Sequence, residues 1–246
     1  MAVPIRFDEV TKEEYLAFHV NRIQNEHKDL RQMSKAPSFA MQFLGTYLTL
    51  MKNLGWSESQ AKGVEANYKK LYQESIDWVN AKIEEAHTKG YSEGAFGLRI
   101  RTPVLAQTIY GAAKLPKEAA AEARTLGNAI SGQSYGLLNN RAAVEFMQKV
   151  WASKYRYDIL PVALIHDAAY FVIRDDVEVV EWTNRELIKA MQWQELPEIK
   201  HPVVKLSANL DIFWPNWSNP ITLPNGTNQQ EIVGLCLKAK EDCLNK

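Results

Sequence analysis

Three groups of residues have types and spacings that could do chemistry. The first is the adjacent pair His166–Asp167, set inside the apolar run from Pro161 to Asp176, "PVALIHDAAYFVIRDD". An ionised carboxylate is costly to bury unless it is paired. The pair is therefore either satisfied by backbone groups in a core or presented to a ligand. A presented carboxylate suits a hard cation such as magnesium, which prefers oxygen ligands. Adjacent His–Asp pairs also occur in metal-dependent phosphohydrolases. That chemistry needs further histidines on helices, and His19, His27, His87 and His201 show no such spacing. The run is also strand-like, being rich in β-branched and aromatic residues.

The second group is Arg31, Lys35, Phe39 and Phe43. Each four-residue step leaves neighbours about 40° apart on a helix of 3.6 residues per turn. Two cations and two rings thus form one slowly turning stripe. Such a stripe could grip a charged tail attached to a flat ring, with Arg and Lys on phosphate and the rings on sugar and base, as a nucleoside triphosphate would require. The alternative is an ordinary amphipathic helix that buries the rings and exposes the cations. Pro37 lies within the stripe and should bend the helix or lie near its start.

The third group is Arg124, Asn128 and Gln133, followed by Ser134, Asn139, Asn140 and Arg141. Hydrogen-bonding side chains on a glycine-bearing helix could face a nucleic-acid backbone or minor groove, where such contacts are common. The alternative is a solvated helix face.

The elements that must position these groups can be read coarsely. Residues 11–27 are polar and charged and read as a surface helix. A helical stretch from Lys28 to about Leu54 ends at Gly55, a suitable C-cap. A long helix over 57–89 starts at Ser57, which forms the capping-box spacing with Gln60, and ends at Gly90. The glycines in "GYSEGAFGLRIRTP" then predict a β-hairpin. A helix-rich stretch begins at Pro116, strand follows around the His–Asp pair, and Val177 to Trp193 reads as another helix. The segment "SANLDIFWPNWSNPITLP" reads as short strand and proline-rich loop. The order predicts an α+β fold, with a helical part over 1–89 and a mixed part over 90–246.

The chain of 246 residues is 46% hydrophobic, enough for one large or two small cores. Net charge is zero, which argues against a uniformly basic protein while leaving room for a local basic cleft. Its two cysteines, Cys236 and Cys243, lack a C-x-x-C spacing and read as free thiols on one side of a helix. No apolar run of about eighteen residues suggests a membrane helix. The start has acidic residues and no apolar segment, so no secretory signal is expected. A cytoplasmic location is the expectation.

Taken in order, four segments resemble the A-family DNA polymerases, the family of bacterial polymerase I and many phage replicative polymerases. "RQMSKAPSFAMQF" is similar to the nucleotide-binding fingers helix, and "GYSEGAFGLRIRTP" to a glycine- and arginine-rich segment that follows it. "EARTLGNAISGQSYG" resembles the stretch whose Arg, Asn and Gln contact primer and template, and "IHDAAY" the His-Asp-Glu motif of the palm hairpin. The resemblance covers about residues 25–215, and its flavour is closest to phage members.

The resemblance implies a helical fingers subdomain, with its nucleotide-binding helix at about 28–54, followed by an incomplete palm with an antiparallel β-hairpin and flanking helices. It implies that Arg31 and Lys35 bind an incoming dNTP, with Lys35 as proton donor to pyrophosphate. Phe39 would press on the sugar, and Phe43 would stand where a tyrosine stacks near the templating base. Arg124, Asn128 and Gln133 would follow the primer end and minor groove. Asp167 would be a magnesium ligand in a two-ion centre, with His166 beside it at the primer end.

Departures accompany the resemblance. The glutamate after His-Asp is Ala168, the second arginine of the hairpin segment is Ile100, and Asn128 to Gln133 is one residue longer than usual. Either His19 or His27 would have to stand for a family histidine upstream of the fingers helix. The second catalytic aspartate, which precedes the fingers helix in that family, has no counterpart; Asp8 is too close and Asp211 comes too late. Thumb and exonuclease segments are missing too. The chain therefore reads as the C-terminal subunit of a split polymerase, active on DNA primer-template in host-cell cytoplasm. A partner would carry exonuclease, thumb and the missing palm strand. The alternatives are a polymerase-derived binding module that no longer catalyses, a fragment of a longer polymerase, and an HD-type phosphohydrolase.

Overall fold

The computed structural model describes residues 19, 22, 26–109, 111, 114–197, 199–202 and 204–244. The surface helix expected over 11–27 lies outside these, except that His19, Arg22 and Glu26 are helical. The chain divides into two compact units, Met1–Ser131 and Gly132–Lys246.

The first unit opens with α1, Lys28–Gln42, in which Pro37 is internal and buried. The helix expected to continue to Leu54 stops here. The Gly45 N–H donates to the Ala40 carbonyl at 2.7 Å and the Leu44 N–H to the Met41 carbonyl at 3.1 Å. This is the doubled bonding of a Schellman C-cap. A Cβ on Gly45 would lie 2.5 Å from the Ala40 oxygen, so only glycine fits. Leu44 takes the left-handed position at φ +60°, where glycine is usual. Helix α2, Tyr47–Leu54, then runs to Gly55 at φ +67°, the C-cap expected. The stretch is two helices because the backbone caps itself before the apolar pattern ends.

Helix α3, Glu58–Leu71, begins as expected: Gln60 N–H donates to Ser57 Oγ and Ser57 N–H to Gln60 Oε1. The single helix expected over 57–89 is interrupted at Tyr72, φ −120° and ψ 37°, before α4, Gln73–Lys89. Gln42 spans the interruption: its Oε1 accepts from the Tyr68 hydroxyl at 2.7 Å and from Ser75 Oγ at 2.9 Å. Helix α4 ends at Gly90, φ +74°.

Strands β1, Tyr91–Glu93, and β2, Arg99–Arg101, form the expected antiparallel hairpin, joined by a loop in which Phe96 and Gly97 take left-handed φ values of +57° and +72°. Helix α5 spans Lys117–Ala152. Its early turns pack Ala119, Ala123, Leu126 and Ile130 with Ala86 and Leu105. Gly127 allows that approach, because a Cβ there would sit 3.2 Å from Val79 Cγ1. This packing keeps the hairpin and the start of α5 with the helical part. Compactness divides the chain after Ser131.

In the second unit, Ala142, Phe146, Met147 and Val150 of α5 form a core with Ile159 and Leu187. Strands β3, Ile159–Ile165, and β4, Ala168–Ile173, pair antiparallel with a bulge between Pro161 and Ala163. Asp176 caps α6, Val177–Met191, by accepting from the Glu178 N–H at 2.8 Å. Strands β5, Leu210–Phe213, and β6, Pro220–Leu223, form a further antiparallel pair, and α7, Gln229–Leu244, carries both cysteines. Both are free thiols, and burial followed by the nearby Asp175 charge pushes Cys236 up, away from thiolate reactivity. The fold is α+β with small antiparallel hairpins. No helix among the described residues is long and apolar enough to cross a membrane.

Candidate nucleotide and nucleic-acid interface

On α1, Arg31 and Lys35 are exposed, and neither makes an ion pair among the described residues. Phe39 is 58% exposed. An amphipathic helix that merely anchored itself would bury this ring; here Pro37 and Met41 face inward instead. Phe39 and Phe43 stack with centroids 6.2 Å apart at 19°. The four positions thus form a surface stripe with cations at one end and a ring pair at the other.

On the hairpin that follows, Ile100 packs against the core, while Arg99 and Arg101 are exposed. Alternation along the strand explains why an apolar residue separates the two cations. Arg99 lies over the Tyr91 ring at 4.6 Å. Behind it, Glu85 accepts from Lys89 at 2.9 Å, Ser92 at 2.8 Å and Lys82 at 3.2 Å. Partial burial pushes the Glu85 carboxyl up, but these three donors outweigh it and hold the group at about 2. This cluster ties α4 to β1 and has a structural role.

On α5, Arg124 and Asn128 are exposed and share one face, a four-residue step apart. Gln133, which belongs to the second unit, is also exposed.

The His–Asp pair is the tip of the β3–β4 hairpin. Ile165 pairs with Ala168, leaving His166 and Asp167 as a two-residue turn. His166 has a left-handed φ of +54°, which two-residue hairpin turns require at their first position. Both side chains are exposed, so the polar pair interrupts the apolar run where the chain leaves the sheet.

A residue to which sequence reasoning gave no separate role holds this turn. Asn139, only 5% exposed, donates its Nδ2 to the Ala168 carbonyl at 3.1 Å. Its Oδ1 is buried and makes no hydrogen bond among the described residues. In the sequence Asn139 was one of a run of polar residues; the signal available was its position between apolar neighbours on α5.

Asp167 does not supply a metal centre alone. Among the described residues no three His, Cys, Asp or Glu side chains are grouped to hold an ion. The next carboxylates along the chain, Asp175 and Asp176, lie beyond the six residues of β4, a strand of about 20 Å at 3.3 Å per residue. Paired ions in phosphoryl transfer stand only about 4 Å apart. The residues present do not fit a two-ion site by themselves.

No family model matches the chain, and no curated protein matches it. Among solved structures, it is similar to the polymerase domain of Pol1 from M. smegmatis, a complex with DNA primer-template and dNTP. The TM-score is 0.58 at 19% identity, over 73% of this chain and 29% of that chain. The chain thus spans under a third of that protein's length. At this identity the likeness shows fold: the chain shares its fold with part of a DNA polymerase domain.

Proposed function

We propose that the chain is the C-terminal fingers-and-palm subunit of a split A-family-type DNA polymerase, serving phage DNA replication. In this reading the primer 3′-hydroxyl attacks the α-phosphate of a dNTP, the bond to the β-phosphate breaks, and pyrophosphate leaves. Arg31 and Lys35 hold the triphosphate, and Lys35 gives a proton to the departing pyrophosphate. Phe39 bears on the sugar, and Phe43 lies near the templating base. Arg124, Asn128 and Gln133 follow the primer and its minor groove, with His166 at the primer end. Asp167 contributes one carboxylate, and magnesium binding would need a second from a partner chain. Positioning and charge neutralisation supply most of the rate in such reactions.

The observation that carries the reading is the exposed ring of Phe39 in line with Arg31 and Lys35, on a chain with a polymerase-domain fold. The aliphatic outer face of the β3–β4 hairpin supports a partner: Leu160, Val162 and Val172 are 54%, 61% and 60% exposed. Exposed apolar patches of this kind mark interaction surfaces. The direct test of the nucleotide site is titration of the chain with a fluorescent dNTP. Saturable binding that Lys35→Ala weakens supports the reading, and binding indifferent to Lys35 overturns the assignment.

A second reading, a binding module without catalysis, draws on Ala168, which stands where the family pattern has a glutamate, its carbonyl held by Asn139, and on the lack of any grouping of three metal-ligating side chains among the described residues. Magnesium-dependent extension by the assembled complex separates the two.

A further inference from the structure

In the second unit the chain passes from α5 into β3 through a tight corner, residues 153–158. The corner is held by its own hydrogen bonds. The Ser153 N–H and Oγ both donate to the Val150 carbonyl, at 3.0 and 2.8 Å, and the Tyr155 N–H donates to Ser153 Oγ at 3.0 Å. The Asp158 N–H donates to the Tyr155 carbonyl at 2.9 Å, and the Arg174 N–H, just beyond β4, donates to the Asp158 carbonyl at 2.8 Å. Two tyrosines of this corner differ in burial. Tyr155 is 7% exposed, packs its ring on Trp182 at 5.0 Å and donates its hydroxyl to Glu178 at 2.9 Å. Tyr157 is 77% exposed, and Trp151, in the last turn of α5, is 62% exposed beside the buried Val150. Large rings stabilise a fold through burial, so these two add little to it where they stand.

The charges of the corner sort in the same way. Glu178 is matched by Lys154 at 2.6 Å and Asp158 by Arg174 at 3.1 Å, while Asp176 accepts from the Glu178 N–H at 2.8 Å. Arg156 makes no ion pair among the described residues. Its guanidinium lies over the Tyr157 ring, 4.4 Å from the centroid, and donates to the Tyr157 hydroxyl. The carboxylates are thus each engaged, and what the corner offers outward is two open rings and one uncompensated cation.

We infer that this corner is a stacking platform for unpaired nucleic acid. Bases of a single strand lie on the Trp151 ring and on the Tyr157–Arg156 stack, and Arg156 meets a phosphate. Bases stack on aromatic rings and on guanidinium planes alike, and such stacking tolerates any sequence because every base has a flat face. The guanidinium N–H groups match phosphate oxygens. A single strand is favoured over a duplex because duplex base faces are already covered by their neighbours. It is favoured over a polypeptide by charge: the uncompensated group beside the rings is a cation, and a nucleic-acid strand brings one negative charge with every nucleotide. The seven residues of β3, about 23 Å at 3.3 Å per residue, separate the corner from the His166–Asp167 turn. None of the residues assigned above to nucleotide or primer belongs to the platform, and the inference does not rest on the polymerase reading.

The probe is a fluorescein-labelled oligodeoxythymidylate of about 20 nucleotides, long enough for one such site, used with the full chain and without dNTP or magnesium. Anisotropy gives its affinity, and a form carrying 5-iodouracil, which crosslinks to stacked rings under light, gives its place. Crosslinks should map to Trp151 or Tyr157, and a duplex of the same length should compete poorly. Trp151→Ala and Tyr157→Ala should each weaken single-strand binding at least about fivefold and leave the melting temperature unchanged. Trp151→Phe and Tyr157→Phe, which keep a ring, should restore most of the affinity. Arg156→Ala should lower the slope of log affinity against log salt by about 0.7, the share of one phosphate on a single strand. Crosslinks confined to residues outside 151–157, ring variants that bind as tightly as the unaltered chain, or equal competition by duplex overturns the proposal. Loss of assembly with the polypeptide of the neighbouring reading frame in Trp151→Ala, with single-strand affinity unchanged, makes the rings a protein contact and overturns it as well.

Discussion

Asn139 Nδ2 donates to the carbonyl of Ala168 at 3.1 Å, clamping helix α5 to the residue that follows Asp167. The turn that presents His166 and Asp167 is thus fixed from below by a buried amide. Asn139→Ala leaves that carbonyl without its donor and should cost about 1–3 kcal/mol. Thermal melting checks the cost, and amide exchange at residues 165–168 should quicken. Unchanged exchange there would mean the turn holds itself.

The stripe on α1 separates binding from folding. Phe39 is 58% exposed, so Phe39→Ala should change stability by no more than about 0.5 kcal/mol. Fluorescent-dNTP affinity should nevertheless fall about fivefold, since an exposed ring without a structural role is available to a ligand. Lys35→Ala and Arg31→Ala should each weaken binding about tenfold or more, through loss of a charge-assisted contact to phosphate. A large drop in melting temperature for Phe39→Ala would return the ring to the core.

Leu44 holds a left-handed φ of +60° at the C-cap of α1. A side chain there costs about 1 kcal/mol, which glycine avoids. Leu44→Gly should stabilise the chain by up to that amount, less whatever apolar contact the side chain makes. Urea unfolding with unchanged slope is the measurement.

Glu85 titrates at about 2, below its ordinary 4.5, because the hydrogen bonds from Lys89, Ser92 and Lys82 outweigh its partial burial. A depressed carboxyl stabilises the folded chain fully above its unfolded value and loses that contribution as pH falls toward the folded one. Stability from Glu85 should therefore decline between about pH 4.5 and 2. Glu85→Gln should flatten that part of the pH profile and cost about 1 kcal/mol at neutral pH. Melting temperatures at pH 7, 4 and 3 for both forms would show it.

Local chemistry made several elements legible. Ser57 with Gln60 announced the start of α3, and Gly55 and Gly90 announced two helix ends. The breaks at Leu44 and Tyr72 were hidden for different reasons. At Leu44 the apolar period continues through the cap, and the residue in the left-handed position is not glycine. At Tyr72 there is neither Pro nor Gly, and the interruption is held from another helix by Gln42. The site divides in the same way. Arg31, Lys35 and Phe39 share a face because helical spacing dictates it, which a sequence can express. The role of Asn139 depends on a carbonyl 29 residues away, and no local pattern encodes that distance. Ile100, which departs from the arginine of the family pattern, is explained by the inward face of β2.

The central claim is that Asp167 works in DNA synthesis only when a partner completes the site. The most direct measurement is magnesium-dependent primer extension by the chain alone, by the chain with the polypeptide of the neighbouring reading frame, and by that complex carrying Asp167→Asn. The expected result is no extension alone, template-directed extension by the complex, and a loss of at least about a hundredfold with Asp167→Asn while the complex still assembles. Extension by the chain alone, or full activity with Asp167→Asn, would contradict the account.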